Sequence, residues 1–182
     1  MTTTGRLSDH FTNIASKRLS AVETDLHSSN QHEFNGVNDL QKIFGTGRKH
    51  IEASLLYLSD DEEISTESIV QLTWYDAREN HATRSEYRLY FPSHSVMESA
   101  TEGDLLIISH RQHGAVQIIV AASGSTIENQ LRLLFNLGGT QPQFAIKPES
   151  ETEAIDLDFT NKFILKAMGI EVDDTDENFL EE

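Results

Sequence analysis

The segment Thr83–Tyr90, TRSEYRLY, alternates with period two. In an extended chain Arg84, Glu86, Arg88 and Tyr90 share one face, while Ser85, Tyr87 and Leu89 share the other. The pattern predicts a half-buried strand and places the chain on the β side of the fold classes. Along the polar face the side chains follow at about 7 Å per step, and only Glu86 offsets the repulsion between the two arginines. Such a row suits a groove of hydrogen-bonding edges. Arg forks onto guanine O6 and N7, and Glu accepts from the cytosine amino group, as in a G·C-containing major groove. A solvated face of a half-buried sheet is the simpler reading of the same residues.

Outward from this segment, further strands follow. Ile69 to Tyr75 places Val70, Leu72 and Trp74 on one face, and Ala53 to Leu58 precedes it across the acidic turn Asp60–Glu63. Phe91-Pro92-Ser93 ends the central strand, because proline cannot donate to a ladder. Leu105–Ser109 and Ala115–Ala122 are β-branched, apolar runs separated by HRQHG and predict a hairpin. Ser125-Thr126 opens a helix with Leu131, Leu134 and Phe135 at core spacing, closing at Gly138-Gly139. Leu7 to Lys17 shows Leu7, Phe11, Ile14 and Ala15 at helical spacing and predicts a short N-terminal helix. DLQKIFG, capped by Asn38-Asp39, predicts another. The fold expected is mainly β: a pseudobarrel of about seven short strands with two or three flanking helices. Residues 1–140 form this domain in our reading, and 141–182, beginning QPQFAIKPESETEA, are an acidic linker with a helix at Phe159–Met168.

The 182 residues suffice for one domain with a core. No run of eighteen apolar residues predicts a membrane span, and MTTTGRLSDH lacks the apolar centre of a signal peptide. With no cysteine there is neither a disulfide framework nor a thiolate zinc site. A cytoplasmic location is the default expectation. The net charge of −16 argues at first against nucleic acid. Its distribution changes that: residues 1–50 sum to +1 and residues 101–182 to −10. The acid is gathered away from the Arg-Glu-Arg row, so a local basic patch can still meet a polyanion.

Catalytic patterns are scarce. The PD-(D/E)xK nuclease motif needs a carboxylate two places before a lysine. The six lysines are preceded at that spacing by Ala15, Leu40, Gly47, Ala145, Thr160 and Ile164. His110-x-x-His113 falls in a predicted turn and reads as a polar turn rather than as metal ligands. There is no Gly-rich phosphate loop, nucleophile elbow or HExxH. The chain reads as non-catalytic, with no cofactor of its own.

The other candidate binding residues precede the strands. KRLSAVETD brings Lys17 and Arg18 side by side, and HSSNQHEFN (His27–Asn35) is an apolar-poor arm or loop. Asn30 and Gln31 are the types that pair bidentately with adenine, while Ser28, Ser29 and His32 suit phosphates or base edges. Gly47-Arg48-Lys49-His50 is a compact basic turn.

The succession KRLSAVETD, SSNQHEFNG, LTWYDAR and TRSEYRLY, followed by the hairpin before AAS, resembles the N-terminal effector-binding domain of the EcoRII restriction endonuclease family. The resemblance covers about residues 15–125. It implies a DNA-binding pseudobarrel that grips double-stranded DNA with two arms in the major groove. The first arm would run from Lys17 and Arg18 through Ser28, Ser29, Asn30, Gln31 and His32. The second would run from Arg78 to Arg88, with Arg84, Glu86 and Arg88 at base-reading positions and Ser85 and Tyr87 beside them. The chain departs from the family pattern at Tyr87 and Ala82, where relatives carry basic residues, and QHEFNG is longer than the family's HQxG form. The resemblance further implies a CCWGG-like site (W, A or T). It also implies a magnesium-dependent nuclease domain of the same polypeptide, beyond FILKAMGIEVDDTDENFLEE. The competing expectation is an acidic protein-interaction or DNA-mimic module, motivated by the net charge.

Overall fold

The computed structural model describes residues 11–25, 32–35, 37–61, 66–111, 114–135, 137 and 144–148. Eight strands form one curled, mixed sheet, a half-barrel, in the order β2-β5-β4-β3-β7-β6-β1-β8. They are β1 (Phe11–Arg18), β2 (Glu33–Phe34), β3 (Lys49–Leu58), β4 (Thr66–Asp76), β5 (Tyr87–Tyr90), β6 (Leu105–Arg111), β7 (Val116–Ala121) and β8 (Ala145–Pro148). Short helices lie around them: α1 (Ala21–Thr24), α2 (Gln41–Phe44) entered through a 3-10 turn at Asn38–Leu40, α3 (Ser95–Ser99) and α4 (Thr126–Leu134). Neighbouring strands pair antiparallel except β3 and β7, which run parallel from Ala53↔Val116 to Leu58↔Ala121. The mainly β architecture anticipated from the alternating segments is the one observed.

The sheet is buried on both faces at its centre and on one face toward the β2 edge. Inside the curl, Ala53, Leu55, Val70, Leu72, Trp74, Leu89, Phe91, Leu106, Ile108 and Ile118 pack with Phe34, Leu40 and Phe44. On the outer side, α4 lays Ile127, Leu131 and Leu134 over Ile14, Leu56, Leu58, Leu105, Ile107 and Ile119. Ser125 caps this helix by accepting from the Glu128 amide at 3.1 Å, and Asp60 accepts from the Thr126 and Ile127 amides. Because α4 covers only one half, the outer face of β3, β4 and β5 at the Lys49 end of β3 is left open among the described residues. A strand with one open face alternates, and β4 does so over most of its length.

Three expectations are corrected. Phe11–Arg18 is a strand, not the end of a helix, pairing with β6 from Phe11↔Arg111 to Arg18↔Leu105. Both its faces are covered, Ile14 toward α4 and Ala15 toward the inner core. Apolar residues at adjacent positions then mimic helical spacing. The supposed linker supplies β8, which pairs with β1 from Asn13↔Pro148 to Ser16↔Ala145, so the sheet extends past residue 140. The central strand is shorter than Thr83–Tyr90: only Tyr87–Tyr90 is regular, and residues 83–86 belong to the β4–β5 connection. The helix expected at Phe159–Met168 lies outside the described residues.

Candidate nucleic-acid interface

The β4–β5 connection projects from the open half of the sheet. Its root is closed by backbone and carboxylate together. The Ala77 amide donates to the Glu86 carbonyl at 2.7 Å, one rung beyond the Asp76↔Tyr87 pair. Asp76 Oδ1 accepts from the amides of Arg78 (2.9 Å) and Glu86 (2.7 Å), which holds the two limbs of the loop together. Tyr87 anchors the same root from inside. Its ring stacks on Trp74 at 4.9 Å, and its hydroxyl donates to the Thr46 carbonyl at 3.2 Å. Trp74 in turn donates from Nε1 to the Gly45 carbonyl at 2.9 Å. Gly45, at φ 77°, ends α2 in a conformation that side chains other than glycine's seldom adopt. Tyr87, expected at the ligand, also packs at the root of the loop and is partly exposed.

On this root the alternation places Arg88 outward, as the sequence implies, and Glu86 joins it to Arg78. Arg78 Nε donates to Glu86 Oε2 at 2.8 Å, and Arg88 Nη2 donates to Glu86 Oε1 at 2.9 Å. Hydrogen bonding from Arg88, then from Arg78, holds the Glu86 carboxyl below the usual carboxylate range. Arg88 also faces Glu33 at 3.5 Å, and Glu33 accepts from the Tyr75 hydroxyl at 2.9 Å. Hydrogen bonding to Glu86, together with the charge of Glu33, raises the Arg88 pKa further. Burial first, and the Glu33 hydrogen bond second, raise that of the Tyr75 phenol. The result is one connected polar chain, Tyr75–Glu33–Arg88–Glu86–Arg78, joining β4, β2 and β5 to the loop. Both arginines of the chain remain partly exposed, with Arg78 at 44% and Arg88 at 34%, so spare N–H groups face solvent.

Arg84 and Ser85 are exposed on the loop. Among the described residues Arg84 makes no hydrogen bond or ion pair. It is the uncommitted cation of the row, whereas Arg78 and Arg88 are pre-ordered through Glu86.

The first arm differs more from expectation. Lys17 is wholly buried, not surface-exposed. Its ammonium donates to Glu23 Oε1 and Oε2, both at 2.6 Å, and to the Asn35 carbonyl at 2.8 Å, and lies over the Phe144 ring. Glu23 also accepts from the Ser20 amide at 2.8 Å, within the capping box of α1, and from the Asn35 amide at 2.9 Å. A cation enclosed by these groups is a structural tie between β1, α1 and the chain at Asn35, and it is not presented to a phosphate. Arg18 is half-buried, donating to the Gly103 carbonyl at 3.2 Å and pairing with Glu128. Ser28, Ser29, Asn30 and Gln31 lie outside the described residues. His32, partly exposed, stacks on Phe91 at 5.8 Å, and its carbonyl accepts from the Phe91 amide at 2.8 Å. Thus the Glu23 node holds the chain on both sides of the 26–31 segment, at Ser20 and at Asn35.

Sequence reasoning missed Glu33 and Tyr75 in the polar chain. Both join it through pairing: Tyr75 opposes Arg88, and Glu33 opposes Tyr90. No local pattern signals that register. Neither a scan of protein-family models nor a comparison with curated proteins finds a match for this chain.

Proposed function

We propose that this chain is a sequence-specific double-stranded DNA-binding domain, reading a short C/G-rich site through the major groove with the β4–β5 loop. The observation that carries the reading is the ordered Arg78–Glu86–Arg88 ladder beside Arg84, which is unpartnered among the described residues, on a sheet half that α4 leaves uncovered in an otherwise acidic protein. Two guanidiniums braced by one carboxylate retain donors for guanine O6 and N7, and the carboxylate retains lone pairs for a cytosine amino group. Bracing lowers the ordering cost of recognition, because the long side chains are already restricted before the duplex arrives. The similarity to EcoRII-type effector domains supports a CCWGG-like target and a role in directing or activating a magnesium-dependent nuclease domain of the same polypeptide. On this reading the part described here performs no catalysis itself.

A gel-shift titration against a CCWGG duplex and a scrambled duplex of equal length, at two salt concentrations, tests the reading. A preference of about tenfold or more, about 1.4 kcal/mol, is expected for the first duplex. Binding to neither at low salt would favour a basic protein partner for the acidic surface instead. Arg84→Ala should weaken binding to the preferred duplex by about 1–3 kcal/mol and relax base preference. Equal losses on both duplexes would contradict base readout by this residue.

A further inference from the structure

The basic turn before β3 has no part in the base-reading row, yet pairing brings it to the same face. Lys49 opposes Trp74 and His50 opposes Thr73, so the adjacent Arg48 meets Tyr75. The Arg48 guanidinium lies over the Tyr75 ring at 5.3 Å, and His50 Nδ1 is 3.4 Å from the Thr73 hydroxyl. Tyr75 itself opposes Arg88. Across β3, β4 and β5 the outer face therefore reads Arg48–Tyr75–Arg88, a cation on each side of an aromatic ring. Between this row and the loop lies a cavity of about 490 Å³, lined by Arg48, Tyr75 and residues 76–81. Arg78 and His81 add basic side chains to its wall, and Asn80 adds an amide.

Two carboxylates also line it. Asp76 is engaged by the amides of Arg78 and Glu86 and serves to hold the loop. Glu79 is exposed at the rim, and its charge opposes an anion there. Arg48 is exposed, and the Tyr75 ring orients its guanidinium without consuming its N–H donors, which leaves them for a tetrahedral anion.

We propose that this cavity is a phosphate subsite: Arg48, with Asn80 and His81 at its wall, takes a backbone phosphate of the duplex flanking the bases met by the Arg78–Arg88 loop. This assignment rests on the DNA-binding reading above. It gives the basic turn a sequence-independent task, fixing the register of the duplex on the sheet while the loop reads bases.

The test is the salt dependence of duplex binding by the whole chain, measured for wild type, Arg48→Gln, Arg48→Lys and Glu79→Gln. Arg48→Gln should weaken the CCWGG and scrambled duplexes by the same factor and make the slope of log K against log salt shallower by about 0.9, one phosphate contact. Arg48→Lys should retain the wild-type slope, and Glu79→Gln should strengthen both duplexes alike. Arg48→Gln with an unaltered slope, or with a loss confined to the CCWGG duplex, overturns the phosphate assignment while base reading stands. Failure of the wild type to bind either duplex removes the DNA-binding reading, and the subsite with it.

Discussion

Lys17→Met is expected to lower the folding stability by about 3–5 kcal/mol, because it leaves the Glu23 carboxylate buried without its cation. The Lys17 and Glu23 side chains are both 0% exposed, so water cannot replace the lost partner. Burial lowers the Lys17 pKa, and the Glu23 charge and hydrogen bonds work against that shift to keep the ammonium. The Asn35 carbonyl loses its donor in the same substitution. Against a typical domain stability of about 5–15 kcal/mol the loss is large. Urea unfolding measures it. Lys17→Met combined with Glu23→Gln should recover part of the stability, since the neutral amide removes the stranded charge and its single oxygen still accepts from one of the two amides, Ser20 or Asn35, that now bind separate carboxylate oxygens. Equal losses in the single and double variants would show that the buried charge is not the source. Where Lys17→Met remains folded, the proposed DNA binding should be unchanged from the wild type, the reverse of what a phosphate contact would give.

Acidification is expected to destabilise the protein through His94. This residue caps α3, its Nδ1 accepting from the Met97 amide at 3.4 Å, and packs edge-on against Phe91. Its Nε2 is buried and has no hydrogen-bond partner among the described residues. Burial, with a smaller contribution from His32, lowers its pKa from 6.5 to about 4. Between those values the unfolded chain binds the additional proton and the folded chain does not. The stability His94 provides is therefore complete above pH 6.5 and is lost progressively as the pH falls toward 4. The gap corresponds to roughly 3 kcal/mol. Asparagine at this position preserves the cap, since its side-chain oxygen can take the place of Nδ1, but it does not titrate. Stability measured from pH 7 to 4 should fall less steeply in His94→Asn than in the wild type. Parallel curves would refute the assignment, because the remaining carboxylates titrate in both proteins.

The legible parts of the fold are those whose burial is written locally. Ala53–Leu58 and Ile69–Tyr75 alternate or carry continuous apolar residues, and they lie within β3 and β4. The runs around HRQHG became the antiparallel β6–β7 pair, and Ser125 caps α4 as its type suggests. β1 was misread because a strand covered on both faces loses its period of two. β8 was misread because proline and acidic neighbours surround a short segment whose partner, β1, is more than a hundred residues away. The parallel register of β3 on β7 likewise has no local signature.

For the candidate site, the residue types were readable and their availability was not. Arg, Glu and Arg at alternating positions determine by themselves an outward polar row, because period two is a property of the extended backbone. The sequence likewise determines the mainly β class and the displacement of acid toward the C-terminal third. Only the tertiary structure decided which cations are spent and which are free. Lys17 is spent on Glu23, Arg18 on Glu128, and Arg78 and Arg88 share Glu86, while Arg84 stands alone among the described residues. It also decided that Arg48 stands beside Tyr75 on the same face as Arg88. The reason is physical: a charge acts over a few ångströms at strength set by its solvation, and both depend on strand register and on what α4 leaves uncovered.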